Sequence, residues 1–158
     1  MQALLTGSDR MTALLSGRLV QGAALLACRV ALAGVFWRAG RTKIEEDSWL
    51  TISESTRFLF RYEYTRVPLP AELSLYLATY AEHLFPVLLV LGLTTRLSAL
   101  ALLGMTMTIQ LFVYPDAWWP VHSLWAALCL VLAAAGGGPF SLDALLRYRS
   151  AGGTAGRS

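Results

Sequence analysis

Charge is what this sequence has least of. Asp, Glu, Lys and Arg make up 15% of its 158 residues, against about a quarter in an ordinary water-soluble domain. The deficit lies in long apolar runs, and mean hydropathy is +0.53. That excludes an ordinary soluble domain and points to an integral membrane protein. Cysteine is equally scarce. Cys28 and Cys129 form no C-x-x-C pair, so a thioredoxin-like dithiol or a zinc site has no support. Both fall in apolar helices and read as small packing side chains, with an intramembrane redox pair as the alternative. His83 and His122, on different helices, make no metal set with a single glutamate. No haem spacing and no phosphate-binding loop are present. The basic residues flank the apolar runs, and no basic face interleaved with aromatics exists, which excludes a nucleic-acid partner. A cleaved signal peptide is not expected: Met1 to Gly17 is only mildly apolar and carries Asp9 and Arg10.

What the chain has in abundance is spanning length. A hydrocarbon core of about 30 Å needs roughly 20 apolar residues per helix. Four segments qualify, near Leu19–Gly40, Ala71–Leu93, Leu97–Tyr114 and Val121–Ala135. The expected fold is therefore all-α: an integral membrane four-helix bundle inside residues 19–146. Residues 1–18 read as an amphipathic stretch on the membrane surface, and 147–158 as a disordered tail after a brief helix from Ser141 to Tyr148. Ala23, Ala27, Ala31 and Gly34 form a small-residue stripe that lets a neighbouring helix approach the first span. The connection from 41 to 70 is the one long loop. Its Phe58, Phe60, Tyr62 and Tyr64 alternate with charges, which suits a surface or re-entrant helix at headgroup level, closed by Pro68 and Pro70. Pro115 to Pro120, with Trp118 and Trp119, reads as a short interfacial turn. Four spans put both termini on one side, and the distribution of arginines favours the cytoplasm.

The polar residues inside the spans carry the functional expectation. Glu82 and His83 stand side by side in the second span, three residues before Pro86. An acidic side chain near a helix centre costs roughly 2.5–3.5 kcal/mol on insertion scales, so a partner is needed. Arg29 lies at a similar counted depth in the first span, and a buried Arg29–Glu82 ion pair is expected. Arg38, Tyr80, Gln110 and His122 approach the outer half of the bilayer. Together they suggest a polar pocket with Glu82 and His83 at its floor, suited to a quinone-like ligand, with Glu82 or His83 exchanging protons. Each residue also has a plainer reading. Arg29–Glu82 can be structural glue, Arg38 can snorkel to headgroups, and Tyr80 and His122 can be interfacial residues.

One set of residues resembles a known family. These are Arg29 with Gly34-Val35-Phe36 and Gly40-Arg41-Thr42-Lys43, then Tyr80-Ala81-Glu82, then Leu89-Val90-Leu91-Gly92-Leu93-Thr94-Thr95-Arg96. Gly137-Gly138-Pro139-Phe140-Ser141-Leu142-Asp143 completes the set. Over about residues 20–146 the chain resembles the DoxX family of small bacterial membrane proteins. The resemblance implies a four-helix bundle in the bacterial inner membrane. It implies a role beside an oxidoreductase or in redox stress, as a quinone-interacting or anchoring subunit, with no covalently bound cofactor. The expected partners are the lipid bilayer, a soluble or membrane redox subunit, and further copies of the chain. The charged aromatic loop suggests an alternative: a non-enzymatic accessory protein that recruits a soluble partner, in copper or modified-peptide handling.

Overall fold

The computed structural model describes residues 17–154. Four long helices form the bundle: α1 (Arg18–Arg41), α3 (Ala71–Leu91), α4 (Thr95–Phe112) and α5 (Ser123–Ala135). A short helix, α2 (Glu54–Tyr62), lies in the long connection, and α6 (Leu142–Thr154) follows the last span. α1 packs mainly on α3 and α4 mainly on α5, while α3 adjoins α4 and α1 adjoins α5. No strand occurs among the described residues, only an isolated antiparallel bridge between Ile44 and Ile52.

The centre is apolar. Leu32 and Phe36 of α1, Leu89 of α3, Leu102 of α4, and Cys129 and Leu132 of α5 are buried against one another. Both cysteines are free; Cys129 lies in this core and Cys28 packs against it. The outside is apolar too. Leu19, Val30, Leu84, Leu97, Leu111 and Leu124 are exposed. A water-soluble monomer does not show so much contiguous apolar surface. With four helices long and apolar enough to cross a bilayer, this is a multi-pass membrane protein.

The turns explain where each helix stops. Gly92 (φ +67°) closes α3 in the left-handed conformation, with its N–H and that of Leu93 donating to Leu89 and Leu88. That is the pattern in which glycine carries no Cβ penalty. Ser53 starts α2 by accepting from the Thr56 amide. Phe60 of α2 buries against Ile52 and Leu75, so this helix packs on the first half of α3.

Three elements differ from the sequence expectations. The interfacial turn is helical: a 3₁₀ turn over Pro115–Ala117 and a π turn over Trp118–His122 run into α5, giving one path of 21 residues. Pro120 has no N–H, and the Ser123 amide reaches back five residues to the Trp118 carbonyl. The terminal helix extends to Thr154, so 147–154 are helical rather than unstructured. The stripe Ala23, Ala27, Ala31 and Gly34 faces outward. α1 instead buries Gly22, Arg29, Leu32, Phe36 and Gly40. The expected surface stretch at 1–18 lies almost wholly outside the described residues.

Candidate functional site

The site begins where α1 ends. Thr42 turns the chain after Arg41, its hydroxyl donating to the Ala39 carbonyl, and the Lys43 amide donates to Gly40. This folds the Lys43 side chain back along the helix end, where cations are favoured by the helix dipole. Its ammonium donates to the Ala39 carbonyl at 3.3 Å and stands 2.6 Å from Glu82 Oε2. The two side chains are 13% and 3% exposed, so the pair is desolvated. Gly40 makes the approach possible. A Cβ there would stand 2.8 Å from His83 Cε1 and 3.1 Å from Glu82 Cβ.

This pair corrects the expected Arg29–Glu82 bridge. Gly40 lies level with His83, and the Arg29 guanidinium lies against Gly92 and Ser141. Arg29 and the residue level with Glu82 are therefore about eleven residues apart on α1, roughly 16 Å along its axis. Arg29 is fully buried and donates through Nη2 to the Phe140 carbonyl. It belongs to a knot at the termini end of the bundle. There the Asp143 carboxylate accepts from the Thr94 and Thr95 amides at 2.8 and 2.9 Å, and the Asp143 amide donates to the Gly92 carbonyl. Partial burial pushes the Asp143 carboxyl up, but those amides and Arg147 outweigh it and hold it below its ordinary value.

Beside the Lys43–Glu82 pair lies a cavity of about 320 Å³ between α2, α3 and α4. Its wall is mainly apolar: Phe60, Phe85, Met105, Ile109 and Val113 line it. Few polar groups reach it. Lys43 and Glu82 are at one place, and Ser74, whose buried hydroxyl has no partner, is two turns along α3. Tyr64 completes the wall. Its ring meets Phe60 and Tyr114, and burial, the Tyr114 hydroxyl and the negative Glu82 all push its ionisation above the ordinary phenol range. An apolar cavity with a few convergent polar groups is the usual form of a small-molecule site.

The other expected members do not join it, for reasons of helical phase. Tyr80 is two residues from Glu82, roughly 200° around α3, and faces out, stacked on Tyr76. Arg38 stands in the same relation to the buried Phe36 and Gly40, and it too is exposed. His83 turns toward α1. Its Nδ1 lies 2.7 Å from the Thr79 carbonyl and so donates to it, and its ring meets Trp37 edge-on at 5.3 Å. Gln110 and His122 do meet, but each other: His122 Nδ1 is 2.8 Å from Gln110 Oε1, while the Gln110 amide donates to Pro115 at 2.6 Å. That couple ties α4 to the π turn and lies apart from the cavity wall. Of the expected residues only Glu82 lines the cavity. Lys43, Tyr64 and Ser74 were missed. The signal for Lys43 was Gly40, a small residue three positions earlier that allows contact with Glu82. Among the described residues no group of three His, Cys, Asp or Glu side chains is placed to hold a metal ion.

Comparison with known proteins adds a family. The DoxX family model matches residues 24–115. The match contains Arg29, Lys43, Glu82 and the Gly92–Arg96 turn, and ends before the Gly137–Asp143 segment. A protein of Haemophilus influenzae, strain ATCC 51907 / DSM 11121 / KW20 / Rd, is 30% identical over 141 residues. The alignment covers 80% of this chain and 85% of that one, whose name is "Uncharacterized protein". No solved structure matches.

Proposed function

This chain belongs to the DoxX family, and from that premise we propose that its cavity holds a quinone-type ligand beside the Lys43–Glu82 pair. The protein then serves as the quinone-interacting membrane subunit of an oxidoreductase in the bacterial inner membrane. The observation that carries this reading is a desolvated ion pair set in the wall of an otherwise apolar cavity. A flat ring finds apolar and aromatic walls in Phe60, Phe85 and Met105. A ring carbonyl finds a charged donor in Lys43, and hydrogen bonds from charged groups contribute about 1.5–3 kcal/mol. Reduction of a quinone takes up two electrons and two protons. A partner redox subunit supplies the electrons; the Lys43 ammonium gives each proton to a ring oxygen, and the Glu82 carboxylate takes up a replacement proton from water and returns it to Lys43. His83, turned away and bonded to Thr79, takes no part.

Photo-crosslinking with an azido-quinone on the reconstituted protein tests the reading. Labelled peptides are expected around Tyr64–Val67 and Met105–Ile109, with labelling competed by unlabelled quinone. Lys43→Gln should weaken that competition by about tenfold, the loss of one charge-assisted hydrogen bond. Labelling spread evenly over the lipid-facing helices, with no competition, would overturn it.

One observation favours the accessory role as a second reading. Trp49, Phe58 and Tyr62 are largely exposed on the connection between α1 and α3. Arg57 and Arg61 are held by Glu72 of α3 at 3.3 Å each, and Arg57 also lies over the Tyr76 ring. The ion pairs therefore brace the segment, and the aromatics are what a soluble partner would meet. Retention of a partner by a Trp49→Ala/Phe58→Ala variant would remove this reading.

A further inference from the structure

The termini end of the bundle holds a second crevice, of about 420 Å³, between the start of α4, the turn after α5, and α6. We propose that it is a binding site for the phosphate headgroup of an anionic phospholipid. Two arginines line it, Arg96 from α4 and Arg147 from α6. Gly136, at φ +77°, has no side chain, and Arg96 Nε lies only 3.4 Å from where a Cβ would stand. The guanidinium is thus laid over the turn and into the crevice. Neither arginine forms a salt bridge within the described residues. One carboxylate, Asp143, also lines the crevice, and both its oxygens are already taken by the Thr94 and Thr95 amides. Two cations against one engaged anion leave the crevice positive.

The rim identifies the anion as a lipid. Leu97 and Leu146 both line the crevice, and they are 63% and 54% exposed. Guanidinium groups above exposed leucines at a helix end match a phosphate joined to acyl chains. Basic crevices between spans bind acidic headgroups for this reason. A soluble phosphate would gain nothing from the leucines. This site is independent of the cavity beside Glu82.

Native mass spectrometry of the full chain in mild detergent tests the assignment. The probes are dioleoyl phosphatidylglycerol, dioleoyl phosphatidylcholine and inorganic phosphate. The wild type should prefer phosphatidylglycerol to phosphatidylcholine on the order of tenfold or more, the effect of two arginines near the membrane surface. Arg96→Gln/Arg147→Gln should bring the ratio near one. Arg38→Gln/Arg66→Gln, which removes exposed arginines elsewhere, should keep it. Equal binding of the two lipids by the wild type would overturn the proposal. So would a preference that survives in Arg96→Gln/Arg147→Gln, or competition by inorganic phosphate alone at the concentration of the lipid. Both arginines are exposed, and unchanged melting of the double variant in phosphatidylcholine separates lost binding from lost fold.

Discussion

Removing one partner of the Lys43–Glu82 pair should cost more than removing both. Breaking a buried ion pair is destabilising by about 3–5 kcal/mol, because the remaining charge is left desolvated, whereas replacing the pair with apolar groups is often near neutral. The structure makes the two single variants unequal. In Glu82→Gln, Lys43 keeps the Ala39 carbonyl at 3.3 Å, its side chain retains 13% exposure, and the new amide oxygen can still accept. A loss of about 2 kcal/mol follows, below the usual range. In Lys43→Met, the Glu82 carboxylate, 3% exposed, is left without its cation, and about 3–4 kcal/mol is expected. Lys43→Met/Glu82→Gln leaves no charge behind and should recover much of this, giving a coupling of at least about 2 kcal/mol in a double-mutant cycle. Equilibrium unfolding in mixed micelles, titrated with a denaturing detergent, measures all four proteins. Additive single effects, or Glu82→Gln costing more than Lys43→Met, would refute the reasoning.

The knot at the opposite end gives further expectations. Gly92→Ala places a Cβ 2.8 Å from Ser141 Cα and against the Arg29 guanidinium, at a left-handed φ. Accumulation in membranes should fall at least severalfold, as an immunoblot would show. Arg29→Lys supplies a charge without the planar fork that reaches Phe140. Limited proteolysis should then cut faster near Gly136–Gly138 while α3 stays protected. Asp143→Asn weakens the cap on α4 and should cost about 1 kcal/mol at neutral pH. Because the folded carboxyl is held below its ordinary value, its contribution is present above the unfolded pKa and is lost as pH falls through the folded one. The gap between wild type and Asp143→Asn should therefore be wide at pH 7 and narrow as pH falls below the ordinary aspartate range, measured by thermal unfolding.

The fold was largely legible because lipid imposes length and apolarity on every span, and Leu19–Gly40 or Ala71–Leu93 declare both. The site was less so. Counting residues inward from each helix end put Arg29 and Glu82 at one depth. That count assumes that α1 and α3 start and stop level. They do not: the first turns of α3, with Ser74, Leu75 and Ala78, extend beyond Arg41 and pack on α2 and the loop. Glu82 is consequently answered from the helix end by Lys43, a residue of the long connection that follows the first span. Helical phase explains the rest, since Tyr80 and Arg38 share a depth with their neighbours but face the other way. The resemblance residues sort into two places. Gly40, Lys43 and Glu82 stand beside the cavity. Arg29, Gly92, Thr94, Thr95 and Asp143 tie the bundle end together.

The central claim is that the cavity beside Lys43 and Glu82 holds a quinone-type ligand. The most direct measurement is mass spectrometry of small molecules retained by the protein after gentle purification from its native membrane, with Lys43→Gln prepared alongside. The account predicts near-stoichiometric quinone on the wild type and a large loss of it on a folded Lys43→Gln protein. A wild type that carries no quinone, or equal quinone on both proteins, would contradict it.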